Sequence, residues 1–384
     1  MPAIYLDHNA STPQLAAVTR AQWPFLDGPR GNPSSVHAAG RAARQALEEA
    51  REQVANLLGA QPREVVFTSG ATEANNLALQ GVTAAHSGGL ILSTVEHPSV
   101  ARAADHLAGR GVNVGRLPVD TEGRVNPGDL RRLLQPETAL VSVMLANNET
   151  GVVQPIRELS RVCRETGAAL HVDAAQAMGR LSVDVGDLGA DLLSLSGHKM
   201  YGPTGIGALW VRQGVSLAPL LHGGGQESNR RSGSENVAGA VGLGAAACHA
   251  AEAQDSLQKD LADLRDHLER RLLESWPAAV VHGAGAPRLP NTTLLGFPGL
   301  DGEAAVMRLD LEGVAVSLGS ACSTGTMRPS TVLAAMGVPE SLAAGSLRFS
   351  LGPDNTRAEI DEVVQIFQRA LAPSAPAKIL EHVS

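Results

Sequence analysis

Aromatic side chains are scarce in this chain: five Phe, three Trp and two Tyr are 3% of 384 residues. A core with so few rings has to be aliphatic and Ala-rich. Hydrophobic residues at 43% and a mean hydropathy of −0.01 describe an ordinary soluble globular protein with enough apolar material to fill one. Cysteine is also rare. Cys163, Cys248 and Cys322 are far apart and form no Cys-x-x-Cys pair, which excludes a disulfide framework and a zinc site and fits a reducing, cytoplasmic setting. Positive charge is in deficit, with 31 Lys and Arg against 39 Asp and Glu, a net charge of −8 and a pI near 5.8. That balance argues against nucleic acid or an anionic membrane as the main partner. No apolar run approaches the ~20 residues of a membrane helix. The opening residues lack the basic-then-apolar pattern of a signal peptide.

What is there is alternation. Over 45–59, Leu47, Ala50, Val54, Leu57 and Leu58 recur at helical spacing, and Gly59 suits the position just past the helix. Apolar runs over 64–67, 90–94, 112–117, 138–145, 169–172 and 192–199 read as strands. Helical patterns after Pro98, after Pro127 and over 155–166 separate several of them. Strands of continuous apolar character separated by helices predict an α/β fold, with a mostly parallel sheet covered on both faces. From about Val237 the texture changes to an Ala-rich stretch and then a charged helical segment, 257–273. Shorter strands at 280–282, 292–297 and 346–350 alternate with helices at 303–309 and 357–371. The expectation is a large domain over 15–255. Residues 1–14 and 256–384 are expected to form a smaller α+β domain.

Four stretches carry candidate chemistry. Leu192 to Pro203 runs as an apolar strand, breaks at Gly197, presents His198 and Lys199, and closes in a Gly/Pro turn. A lysine at the mouth of a buried strand is desolvated, which favours the neutral amine that forms Schiff bases with aldehydes; taken alone, the pattern is more often a surface loop lysine. Thr68-Ser-Gly-Ala-Thr-Glu-Ala-Asn75 follows a strand and opens a helix. It suits a phosphate at the helix N-terminus, or is a plain capped junction. Asp173, in His171-Val-Asp-Ala-Ala-Gln176, ends a strand where α/β proteins place ligands, or caps the next helix. Cys322 lies among small and polar residues that predict a loop (319–330), where exposure favours reactivity; Cys163 and Cys248 read as small hydrophobes.

Ser69-Gly-Ala-Thr-Glu73, Glu96-His97, Asn147-Asn-Glu149, Asp173-Ala-Ala-Gln176, Ser196-Gly-His-Lys199, Arg231-Ser-Gly-Ser234 and Gly319-Ser-Ala-Cys-Ser323 occur in this order. Together they resemble the cysteine desulfurases of the NifS/IscS group, within the class V, fold-type I transaminases that use pyridoxal 5'-phosphate. The resemblance runs from Tyr5 to about Leu371.

It implies that Lys199 carries the cofactor covalently, Asp173 pairs with its ring nitrogen, and Gln176 and Asn148 meet its phenolic oxygen. His97 would stack on the ring and move protons. Ala71, Thr72, Ser196 and His198 would bind the phosphate. Ser234, where the family often has Thr, would reach in from a second subunit of a homodimer. Arg348 would grip the carboxylate of L-cysteine, with Asn148 beside it. Cys322 would take the sulfur as a persulfide and pass it to an acceptor, such as an iron–sulfur scaffold or a tRNA-thiolation protein. A selenocysteine lyase, another class V enzyme, and a non-catalytic sulfur-handling protein are the alternatives. The chain stops short of the extension that housekeeping members use to engage a scaffold, which leaves that partner open.

Overall fold

The computed structural model describes residues 4–27, 31–86, 88–319 and 330–371. The central sheet contains β2 (Val65–Thr68), β3 (Gly89–Ser93), β4 (Val114–Leu117), β5 (Thr138–Met144), β6 (Ala169–Asp173), β7 (Leu192–Ser196) and β8 (Gly207–Val211). Their spatial order is β2-β8-β7-β6-β5-β3-β4. The block from β7 to β4 is parallel, and β8 runs antiparallel to both β7 and β2. The turn between β7 and β8 is too short for the crossover a parallel pair needs, so the chain comes back as a hairpin.

Side chains alternate between the two faces of these strands, and helices cover both. Leu90, Leu92, Leu192, Leu209 and Val211 pack against α3 (Ala71–His86) and α4 (Pro98–Gly109). Ile91, Leu193, Leu195, Ala208 and Trp210 point the other way, into a core with residues of α2 (Ala38–Leu58), α6 (Ile156–Thr166) and α8 (Val237–Ser275). α1 (Ala16–Leu26) also packs on α8, while α5 (Pro127–Leu133) and α7 (Val185–Leu188) contact α6. α2 ends as its glycine suggests, with Gly59 at φ 66°.

A second core gathers β10 (Thr292–Gly296), β13 (Ser346–Ser350), α9 (Gly302–Leu311) and α12 (Arg357–Leu371) around Phe297, Phe349 and Phe367. Its antiparallel sheet has the order β12-β13-β10-β9, where β9 is Val280–Val281 and β12 is Ser317–Leu318. Two short helices, α10 (Thr331–Ala335) and α11 (Glu340–Ala344), precede β13. The N-terminal strand β1 (Ile4–Tyr5) pairs in parallel with β11 (Val314–Ala315), and Ile4 and Leu6 are buried in this second core.

The two textures read after Val237 belong to one helix. α8 runs unbroken for 39 residues. Its first half gives Ala240, Leu243 and Ala246 to the large core, and its second half gives Leu261, Leu268 and Leu272 to the other. The amphipathic face changes partner along the helix, and its composition changes with it.

Candidate active site

Lys199 sits where the large sheet meets the N-terminal segment. β7 ends at Ser196, and Gly197–Lys199 form a single 3-10 turn beyond it. Gly197 is needed there, since a Cβ would stand 2.7 Å from the Pro203 carbonyl oxygen. The turn is fastened to the N-terminal segment by the Thr12 N–H, which donates to the His198 carbonyl at 2.9 Å. The Lys199 amine donates to the carbonyls of Asn9 (2.6 Å) and Ala10 (2.8 Å). Burial, then the charges of Arg180 and Arg348, lower its pKa to about 8, against the pull of Asp7 and Asp173.

Asp173 is the last residue of β6 and is 5% exposed. Its carboxylate accepts from the Asn75 side chain at 2.7 Å and from the Ala175 N–H at 2.9 Å. Asn75 also donates to the Ser99 hydroxyl at 2.8 Å. That hydroxyl meets His97 Nδ1 at 2.8 Å, and the Ser99 N–H donates to the same nitrogen at 3.1 Å. Nδ1 is therefore an acceptor, and the proton of the neutral ring sits on Nε2. Burial lowers the His97 pKa, with Asp173 opposing and Lys199 assisting. A relay Asp173–Asn75–Ser99–His97 thus joins the ends of two strands through the first turns of α3 and α4.

Arg348, on β13, is 4% exposed. It donates to Asp7 Oδ1 at 2.7 Å and to the Asn148 carbonyl at 3.1 Å, while its Nε is buried with no partner among the described residues. A guanidinium with a spare buried donor suits a further oxygen acceptor. Opposite, Gln176 donates to the Asn9 carbonyl at 2.9 Å and accepts from buried Arg180 at 2.5 Å. Burial pushes His198 down to about 4, and its Nδ1 lies 3.2 Å from the Ser11 hydroxyl.

The anion-binding end is built by close backbone approach. A Cβ at Gly207 would lie 2.7 Å from the Gly70 Cα and 2.5 Å from the Leu195 carbonyl oxygen. Only glycine lets β8 come so near the turn before α3, whose first residues are Ala71 and Thr72. The Ser196 hydroxyl faces the same turn, 3.6 Å from where a Gly70 Cβ would be. Glu73 braces the turn, accepting from the Ser69 N–H at 2.8 Å and pairing with Arg231 at 2.7 Å.

A class-V aminotransferase model matches residues 4–363. The chain belongs to the class-V aminotransferase family. Among curated relatives, the cysteine desulfurase IscS of Dictyoglomus turgidum is 44% identical over 96% of this chain and 94% of its own. A cysteine desulfurase of Klebsiella pneumoniae is 43% identical over 97% of this chain and 95% of its own. A solved NifS-like protein superposes with a TM-score of 0.90 at 35% identity, covering 96% of this chain and 99% of that one.

Of the residues singled out from the sequence, this class-V chain brings Lys199, Asp173, His97, Asn148 and Arg348 into one corner, with Gln176 and His198 beside them. Ala71, Thr72 and Ser196 surround the glycine turn. Ser234 is exposed and lines a cavity of about 120 Å³ with Thr68, Ser69, Gly205 and Arg231 of its own chain. Cys322 lies outside the described residues. Of the other two cysteines, Cys163 is buried, as expected of a small hydrophobe, and Cys248 is half-buried.

Asn9, Asp7, Asn75 and Arg180 hold the site together and were not singled out. Asp7 and Asn9 stand in a polar run readable only as turns, and Asn75 is in a quoted motif without a part assigned to it. Arg180 has no local signal at all.

The arrangement fits pyridoxal phosphate. It combines an amine of lowered pKa, a buried carboxylate at a strand end, an imidazole with its proton on the outer nitrogen, and a glycine cradle at the N-terminus of a 16-residue helix.

Proposed function

We propose that this protein is a cysteine desulfurase that converts L-cysteine to L-alanine and moves the sulfur to Cys322. The reading rests on one observation above all: a half-buried Lys199 amine shares one corner with Asp173, His97 and Arg348, in a chain whose relatives bear that activity in their names. Pyridoxal phosphate, bound there, supplies an electron sink for bonds at the substrate α-carbon.

The chain's own residues do the rest. Lys199 offers the amine that holds the cofactor. Asp173 keeps a proton on the ring nitrogen. Asn148 and Gln176 face the ring oxygen, and Ala71, Thr72, Ser196, His198 and a partner's Ser234 hold the phosphate. Arg348 takes the substrate carboxylate with its free Nε–H, and His97 holds a transferable proton on Nε2.

Cys322 attacks the substrate sulfur as a thiolate. The S–S bond forms as the C–S bond breaks, the electron pair stays with carbon, and a proton completes alanine. The products are one alanine and one persulfide per thiol consumed. The outer sulfur of the persulfide then passes to a thiolate of an acceptor protein in the cytoplasm, such as an iron–sulfur scaffold or a tRNA-thiolation protein, and the Cys322 thiolate is released. On this reading residues 15–255 hold the cofactor, and residues 1–14 with 256–384 carry Arg348 and the cysteine.

Purified protein loaded with cofactor and given L-cysteine should release alanine and carry a persulfide on Cys322. Cys322→Ser should keep the cofactor absorbance and lose both products. Alanine release that survives the substitution would refute the persulfide route.

A further inference from the structure

Glu149 is a buried acid that the chemistry above does not use. It is 7% exposed, and burial pushes its pKa up to about 7, against the hydrogen bond from Ser330 and the charge of Arg348. Its backbone is held rigidly. The N–H groups of Glu149 and Thr150 donate to the Asn147 side-chain oxygen, each at 2.9 Å, while the Asn147 amide donates to the Val95 carbonyl at 3.1 Å. The preceding residue is Asn148, whose carbonyl takes the Arg348 guanidinium.

From this fixed turn the carboxyl reaches two other places. The Ser330 hydroxyl donates to Oε2 at 2.5 Å. That serine caps α10, accepting from the Leu333 N–H at 3.0 Å, and α10 packs Val332, Leu333 and Met336 against Val95. On the other side, a Cβ built on Gly319 would stand 3.7 Å from the same Oε2. Gly319 follows β12, and its N–H reaches the Ser346 carbonyl at 3.4 Å. Gly319 and Ser330 are the described residues on either side of residues 320–329, the stretch that contains Cys322. The same oxygen atom therefore bonds Ser330 and lies beside Gly319. Only three peptide units separate Gly319 from Cys322, a span of at most about 11 Å, so where Gly319 is held limits where the thiol can go.

We propose that Glu149 is a positioning residue for sulfur transfer, its carboxyl holding Ser330, beside Gly319, to the corner formed by Asn148 and Arg348. The inference deepens the desulfurase reading and rests on Cys322 as sulfur acceptor. It is a matter of geometry: a buried carboxyl is costly to keep unless its hydrogen bond is used.

The test uses the cofactor-loaded protein and the variants Glu149→Ala, Glu149→Gln and Ser330→Ala. Each is exposed to iodoacetamide without substrate, and alkylation is followed peptide by peptide at all three cysteines. In Glu149→Ala, Cys322 should be alkylated severalfold faster, with Cys163 and Cys248 unchanged and the cofactor absorbance intact. In a single turnover with L-cysteine its persulfide yield should fall by about tenfold or more, as misplacement of a reacting group by an ångström or so does. Glu149→Gln keeps an acceptor oxygen and should remain near the wild type. Ser330→Ala should reproduce Glu149→Ala, and the double variant should be no worse than either, because the two act as one contact.

Unchanged labelling and persulfide yield in Glu149→Ala would overturn the proposal. So would a parallel rise at buried Cys163, which would mean general loosening. If the wild type labels at Cys322 yet forms no persulfide, the desulfurase reading fails, and the labelling contrast still decides the tie at Glu149.

Discussion

At the scale of the residue, the informative quantity is the proton on Lys199. A lysine with a pKa of about 8 is mostly protonated at neutral pH, and only its neutral form can bond to an aldehyde. Desolvation is the leading cause, so the lowered value belongs to the folded site. Cofactor-free protein should therefore take up pyridoxal phosphate at a rate that rises about tenfold per pH unit below the pKa and levels off above it. Stopped-flow absorbance would read this, and a flat profile from pH 6 to 9 would contradict the assignment of Lys199. His97 makes a second case. Its Nδ1 is committed to Ser99, so a role in proton transfer falls to Nε2. His97→Ala should keep the bound cofactor and lose about 10²- to 10⁴-fold in turnover, the usual worth of a positioned acid or base. Unchanged turnover would make the ring a structural cap of α4. Lys199 and Asp173 were legible in the sequence because each stands at or just past a strand end beside small or turn-forming residues, whereas His97, the N-cap of α4, came only with the family resemblance. Asn9 and Arg180 were not, because Gln176 meets the Asn9 carbonyl and Arg180 meets the His8 carbonyl across separations of 167 and 172 residues, which only a fold closes.

At the scale of the element, the long runs of apolar residues read correctly. β13 and α12 have the bounds expected, and α2 ends at the glycine that marks it. What escaped was structure made by short or featureless segments. β8 follows a ten-residue turn and reverses direction, and β1, β11 and β12 are two residues each, too short for a period-2 pattern to register. β8 nevertheless matters to the site, because its first residue lets the chain approach the turn before α3. Gly207→Ala would place a methyl 2.7 Å from the Gly70 Cα and 2.5 Å from the Leu195 carbonyl oxygen. Backbone has to move to admit it, at about 1–3 kcal/mol for overpacking a tight contact. The same shift should spoil the anion cradle. The expectation is a lowered unfolding midpoint by calorimetry together with weaker cofactor binding by titration. A variant that loses stability while binding the cofactor normally would show that the cradle does not depend on this approach.

At the scale of the whole molecule, the surface suggests a second copy. Trp23 is 58% exposed and Leu26 48% exposed on α1, and Leu221 is 43% exposed in the segment leading to Ser234. Large apolar side chains in water are what a subunit interface removes. The Ser234 segment is itself firmly fixed. Arg51 pairs with Glu227 through both nitrogens, at 2.7 and 2.8 Å, and Arg231 pairs with Glu73 beside the glycine turn. Both ion pairs fasten the segment to its own chain, and Ser234 stays exposed. If it serves the neighbour's phosphate, Ser234→Ala should weaken cofactor binding by about tenfold, the worth of one hydrogen bond to a charged group. Pairing decides whose phosphate it is. Co-expressed Lys199→Ala and Ser234→Ala chains, assayed at limiting pyridoxal phosphate, should form hybrids in which the Ser234→Ala chain lends its lysine and the Lys199→Ala chain lends its serine. One site in each hybrid is then unaltered, and activity should return to about half that of a wild-type dimer under two-fold symmetry. If Ser234 instead served the phosphate of its own chain, no hybrid would contain an intact site, and mixing would restore nothing.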